Sequence, residues 1–231
     1  MPTGELHRIF LTNATKRCFK FIHYFDIYER HFERFRGKSP TVLEIGVRGG
    51  GSLEMWKTYF GEGARIVGVD IDPKCKVHQR DGIDIFIGSQ SDPATIDSVV
   101  AAYPDIDIVI DDGSHRMADM IATFEMLYSR ISPYGVYLVE DAYTCYRPQH
   151  GGGLKREGTF MEFTKDKIDE LNAPTNMKRL TVTEFSRSTD FIACYDAVIV
   201  YERRPQGHRQ TLITTAMSAK QTVQAAGDSE D

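Results

Sequence analysis

Cysteine is scarce in this chain of 231 residues: only Cys18, Cys75, Cys145 and Cys194 occur, each far from the next. With no CxxC pair, neither a zinc cluster nor a disulfide framework is indicated, and inert thiols in a reducing compartment fit best. Basic charge is not in excess. The 28 Lys and Arg stand against 33 Asp and Glu, for a formal net charge of −5, which gives no reason to expect a nucleic-acid partner. No stretch reaches the roughly 18 uncharged apolar residues a membrane helix needs, so no membrane span is expected. The opening "MPTGELHRIF" lacks the apolar core of a signal peptide, and no internal repeat is visible. The expectation is a cytoplasmic protein. Its length suits a single domain over residues 1–205, with residues 206–231 as a frayed tail.

What is present is an alternation of short apolar runs and helical stretches. "TVLEIG", "ARIVGVD", "IDIFIG", "DIDIVID" and "GVYLVED" read as strands, most of them too apolar to have a wet face. "SLEMWKTYF", "DPATIDSVVAAY" and "MADMIATFEMLYSRI" between them read as helices. This is the pattern of an α/β, doubly wound, Rossmann-like sheet. Ahead of it, residues 14–36 carry Phe21, Tyr24, Phe25, Tyr28, Phe32 and Phe35 at helical spacing, which predicts one added amphipathic helix. After Asp141 a glycine-rich loop over residues 142–160, mobile at Gly151 to Gly153, is placed to act as a lid. A helix follows near residues 160–172. Then come two antiparallel strands, "KRLTVTEFSRS" and "DFIACYDAVIVYERR", with a turn near residues 187–190.

"VLEIGVRGGGSLEMW" is a strand, a glycine-dense turn and a helix start, which lets a ligand approach backbone at a helix N-terminus. Its spacing fails the GxGxxG dinucleotide fingerprint. Glu44 precedes the turn, and the next strand ends at Asp70, 24 residues after Gly46, where a carboxylate can accept from both ribose hydroxyls. E-x-G-x-x-x-G followed by such an acid resembles class I S-adenosylmethionine-dependent methyltransferases over roughly residues 41–141. The resemblance implies the strand order 3-2-1-4-5-7-6 with the last strand antiparallel, and S-adenosylmethionine as cofactor. It implies that Gly46 and Gly49 pass the methionine part, that Glu44 supports the turn or the amino group, and that Ser52 meets the carboxylate. Asp70 and Ile71 would hold ribose and adenine, with Ser89, Gln90 and Asp111 as further donor contacts. Another nucleotide on the same kind of turn is the alternative.

In that order, the runs ending "IDDGSH" and "VED" are neighbouring strands, so Asp112, Glu140 and Asp141 converge. Like charges so close raise one another's pKa unless a cation intervenes, and an all-oxygen set suits Mg²⁺, with Mn²⁺ or Ca²⁺ as alternatives. His115, three residues after Asp112, is a candidate general base. Solvated strand ends and a structural histidine are the plain alternative. The same residues resemble the metal-dependent sugar O-methyltransferases of the macrocin and mycinamicin type. That likeness implies Asp112, Glu140 and Asp141 as metal ligands, His115 as catalytic base, and transfer to a sugar hydroxyl of a polysaccharide, glycolipid or glycosylated natural product. Tyr143, Tyr146 and Arg147 on the lid are candidate substrate contacts, and Tyr24 borders the pocket. A homo-oligomer, a dimer first, is the expected assembly. A catechol-type O-methyltransferase, a metal-dependent hydroxylase and a calcium-binding module are the competing readings.

Overall fold

A computed structural model describes residues 4–13, 16–175, 180–207, 210–215 and 218–225. Seven strands form one sheet: β1 (Thr41–Ile45), β2 (Arg65–Asp70), β3 (Ile83–Ile87), β4 (Ile108–Asp111), β5 (Val136–Val139), β6 (Thr189–Tyr195) and β7 (Val198–Arg203). Their order is β3-β2-β1-β4-β5-β7-β6. The first five run parallel, and β7 lies antiparallel to both β5 and β6. This is the Rossmann-like order expected from the sequence.

Strand alternation divides the core between two faces. Val42, Ile66, Ile108, Ile110, Val136 and Leu138 pack with α2 (Tyr24–Phe32) and α3 (Gly51–Phe60), where Tyr28, Phe32 and Trp56 are fully buried. Leu43, Ile45, Val67, Val69, Val109, Tyr137 and Val139 pack on the other face with α4 (Pro93–Ala102), α5 (Met117–Leu127) and α6 (Phe160–Leu171). Asp92 caps α4, accepting from the backbone of Ala94 and Thr95 ahead of Pro93 in the first turn.

The N-terminal region departs from the single helix expected over 14–36. α1 (Glu5–Thr12) and α2 are separate helices, and residues 17–20 between them belong to no regular element. Lys16 pairs with Glu54 of α3 at 2.7 Å and Lys20 reaches into the strand-end rim, so side-chain pairing holds this stretch where a helix would withdraw it. Phe19, counted in no helical stripe, is exposed.

The C-terminal pair of strands also starts later than expected. A capping box between Thr183 and Ser186 nucleates α7 (Glu184–Ser188), overriding the β-rich pattern before it. The hairpin turn falls at Asp196 and Ala197, the latter at φ +62°. The expected lid residues form two 3-10 turns, Ala142–Tyr146 and Pro148–His150, and the glycine run is tied back by Gly152 N–H to Arg147 O and Gly153 N–H to Cys145 O. In the stretch expected to be a tail, β8 (Gln210–Thr215) pairs antiparallel with β9 (Ser218–Ala225). Among the described residues no helix is long and apolar enough to cross a membrane.

Candidate active site

The parallel register brings four strand ends to one rim. Ile45 pairs with Val69 and Asp111, and Asp111 with Val139. The ladder then runs one residue further: Gly46 N–H donates to Val69 O, Asp112 N–H to Ile45 O, and Glu140 N–H to Asp111 O. The glycine turn and both acidic strand ends therefore share one edge, the carboxyl edge where open α/β sheets take ligands.

Side-chain parity then sorts the acids. Glu44 follows Val42, and Glu140 follows Val136 and Leu138, so both point to the α2–α3 face, as does Asp112 beyond Ile108 and Ile110. Asp111 follows Val109 to the opposite face. There its carboxylate accepts from Gln90 Nε2 at 3.1 Å and Tyr137 Oη at 3.3 Å, while Gln90 also donates to Thr123 and accepts from Ser114 N–H. Burial pushes Asp111 up to about 7. Asp111 and Gln90, expected among the donor contacts, are thus buried partners of each other behind the rim.

Gly46 sits at φ +95°, and a Cβ there would run into the Asp112 carbonyl. Glycine is required for the turn to lie against the acidic strand end. Gly49 and Gly51 serve a different neighbour: a Cβ on either would come within 2.7 Å or 2.6 Å of the Arg17 carbonyl oxygen. The N-terminal stretch therefore lies on the glycine turn. Ser52 donates to Glu44 Oε2 at 2.8 Å. Asp70 accepts from Val47, Arg48 and Asp72 N–H, all at 2.9 Å. Burial alone would raise its pKa, but these backbone donors outweigh it and hold the carboxylate below its ordinary 3.8. Asp70 thus fixes the turn, while Ile71 beside it is exposed. Ser89 pairs with Ser91 at the end of β3.

At the acidic rim, Asp112, His115 and Asp141 each offer one ligand atom within 4.8 Å of the others. His115 Nε2 lies 3.8 Å from Asp112 Oδ1 and 3.6 Å from Asp141 Oδ2. His115 and Asp141 both hold left-handed backbone, φ +55° and +53°, a conformation that costs a non-glycine residue and collects at functional sites. Tyr24 Oη donates to Asp141 Oδ1 at 2.8 Å and accepts from Asp141 N–H at 3.3 Å. Burial and the neighbouring carboxylate push the Tyr24 hydroxyl well up, keeping it a donor.

Glu140 is drawn elsewhere. The Lys20 ammonium lies 2.7 Å from Asp112 Oδ2 and 2.7 and 2.9 Å from the two Glu140 oxygens, with Glu44 Oε1 at 3.8 Å. The Lys20 and Glu140 side chains are almost fully buried. Burial works against the Lys20 charge, yet Asp112, Glu140 and Glu44 outweigh it and hold the ammonium well above the lysine range. Burial lifts Glu140, with the Asp112 charge adding to it, and lifts Glu44 to about 7.

Around this rim Tyr143 approaches Asp141 through its hydroxyl at 3.4 Å, and Arg147 stacks over the Tyr143 ring at 4.4 Å. Tyr146 is exposed. His150, within the expected lid loop 142–160, has its ring 6.2 Å from that of His115. Lys20 and the Tyr24–Asp141 bond were missed in the sequence. The only available signal for Lys20 was a lone cation between two aromatics, "FKF", in a stretch otherwise read as a packed helix face.

The donor chemistry of the rim fits a hard divalent cation, with two carboxylates and an imidazole in reach of one point and further buried acid behind. No protein-family model matches the chain. It is 42% identical over 153 residues to the 8-demethyl-8-alpha-L-rhamnosyl tetracenomycin-C 2'-O-methyltransferase of Streptomyces olivaceus, covering 63% of this chain and 40% of the relative. It is 39% identical over 164 residues to the mycinamicin VI 2''-O-methyltransferase of Micromonospora griseorubida, covering 66% and 41%. The chain thus spans about two fifths of the length of these curated relatives. A solved structure of the MycE methyltransferase from the mycinamycin biosynthetic pathway, in complex with Mg and SAH, superposes with a TM-score of 0.78 at 32% identity, over 87% of this chain and 55% of that one. The chain is a homologue of the sugar O-methyltransferases of the macrocin, mycinamicin and tetracenomycin type, and it carries the class I methyltransferase fold.

Proposed function

We propose that the protein is an S-adenosylmethionine- and Mg²⁺-dependent O-methyltransferase acting on a sugar hydroxyl of a glycosylated natural product. One observation carries this reading: the glycine turn and the Asp112–His115–Asp141 cluster touch through backbone, with Gly46 packed on the Asp112 carbonyl. A methyl donor seated on the turn would then present its sulfonium beside the cluster. The relatives favour glycosylated natural products over the wider set of polysaccharides and glycolipids admitted by the sequence.

In this proposal Asp112 and Asp141 hold the divalent ion, with Glu140 as a further carboxylate. When bound, the ion makes the acceptor hydroxyl more acidic and fixes its direction. His115 takes the hydroxyl proton as the oxygen attacks the methyl carbon and the thioether leaves. The carboxylates 3.6 and 3.8 Å away stabilise the imidazolium that results. Asp70 keeps the turn in shape for the donor, and Tyr24 orients Asp141. Tyr143, Tyr146 and Arg147 are the residues proposed to meet the sugar. A cytoplasmic location and a dimeric assembly belong to the same proposal.

The test is mass spectrometry of a panel of glycosides incubated with S-adenosylmethionine and Mg²⁺. The expected result is the gain of one methyl on a sugar, abolished by EDTA and restored by Mg²⁺. Full transfer in chelator would remove the metal from the scheme, and methylation confined to sugar-free phenols would replace the acceptor class.

A further inference from the structure

Lys20 is a cation inside the carboxylate cluster, and the chain supplies it itself. Its ammonium is within 2.7–2.9 Å of oxygens from both Asp112 and Glu140, and Glu44 Oε1 stands 3.8 Å away. Buried acids this close need a positive charge among them, and Lys20 supplies one. Asp112 is shared: its Oδ2 faces Lys20 and its Oδ1 faces His115. Glu140 has both oxygens on Lys20, so it is withheld from the Asp112–His115–Asp141 group.

The segment carrying Lys20 is held by side chains rather than by a backbone ladder. Residues 17–20 lie outside any helix or strand and are anchored by side chains, Lys16 on Glu54 and Lys20 on the rim. Releasing them breaks few regular backbone bonds, the condition for low-cost local opening. The same segment rests through the Arg17 carbonyl on Gly49 and Gly51 of the donor turn.

We propose that Lys20 is a tethered competitor of the divalent ion: it neutralises Asp112 and Glu140 in the metal-free protein, and the ion must displace it. The mutual repulsion of two cations at one set of oxygens makes the two occupancies exclusive. Anything that binds one state and not the other then shifts the balance by its differential affinity. The inference rests on the metal reading above.

The test uses the full chain and Mg²⁺ alone, with neither donor nor acceptor. Calorimetric titration of the wild type and of Lys20→Gln is expected to show at least tenfold tighter Mg²⁺ binding in the variant. Hydrogen–deuterium exchange of the wild type is expected to speed up across residues 16–23 when Mg²⁺ is added. Equal or weaker Mg²⁺ binding by a folded Lys20→Gln overturns the role of Lys20 while leaving the metal site standing. Unchanged or slower exchange in the Mg²⁺-bound wild type overturns it as well, and this readout decides alone if the variant does not fold. Absence of Mg²⁺ binding by both proteins overturns the metal reading and this inference with it.

Discussion

Replacing Tyr24 by phenylalanine removes one hydroxyl on which the geometry of Asp141 depends. The Tyr24 ring is buried, with Tyr28 and Phe21 at centroid distances of 6.0 and 5.4 Å, and phenylalanine preserves all of that packing. The hydroxyl alone is lost. It donates to Asp141 Oδ1 at 2.8 Å, accepts from Asp141 N–H at 3.3 Å and lies 3.4 Å from Ala197 O, so a residue held at φ +53° loses one partner at its backbone and one at its side chain. A hydrogen bond to an ionised carboxylate is worth about 1.5–3 kcal/mol. The Asp141 side chain is 21% exposed and water can replace part of it, so a loss of about 1–2 kcal/mol in urea unfolding is expected. The functional loss should be larger. Partners that orient a metal-ligating carboxylate typically contribute about 10–100-fold in metal affinity or activity, and Tyr24 would be such a partner in the proposed site. Mg²⁺ calorimetry and turnover on the same preparation measure it. A Tyr24→Phe protein with wild-type stability, wild-type Mg²⁺ affinity and wild-type turnover would refute the role assigned to this bond.

Other perturbations separate the remaining roles. His115→Ala should lower kcat by about 10²–10⁴ while donor binding, read by calorimetry with S-adenosylhomocysteine, is retained; unchanged kcat would return His115 to a structural role. Asp70→Ala strips the acceptor from Val47, Arg48 and Asp72 N–H, and should weaken donor binding before it alters Mg²⁺ binding. Because the folded-state pKa of Asp70 is depressed, its stabilisation is present above the unfolded value and is lost as pH falls below about 4. Asp111 has the opposite sign: its folded pKa is raised to about 7, so its contribution to stability falls as pH rises from about 4 to 7. Asp111→Asn keeps an acceptor for Gln90 and should flatten that part of the stability–pH curve; an unaltered slope would contradict the burial argument.

The fold was legible because its signals are long-range and redundant. Five apolar runs, each followed by a helix or a turn, leave little choice but a parallel sheet covered on both faces. The rim acids were legible for the same reason, since strand order alone makes Asp112 and Glu140 neighbours. The facing of each acid was not. Asp111 and Asp112 are adjacent in sequence and project to opposite sides of the sheet, a parity that depends on where β4 ends. The N-terminal stretch failed differently. Aromatic spacing favours a helix over 14–36, but Lys16 and Lys20 are bound to acids brought from α3, β4 and β5. Only the assembled sheet creates those acids as partners, so tertiary pairing overrides local periodicity there. The capping box that turns 184–188 into helix was present in the sequence as Thr183 and Ser186, and was outweighed by the β-rich residues around it.

In the proposed site the acids at the ends of β4 and β5 gather a divalent ion beside the glycine turn. Anomalous diffraction from crystals grown with Mn²⁺ and S-adenosylhomocysteine tests it directly. One strong peak is expected, bounded by the carboxylates of Asp112 and Asp141 with Glu140 as a further carboxylate, at roughly 2.1–2.3 Å from the ligating oxygens, and with the donor product along the turn at Gly46. A rim without a peak, or a peak held by residues other than these, would contradict it.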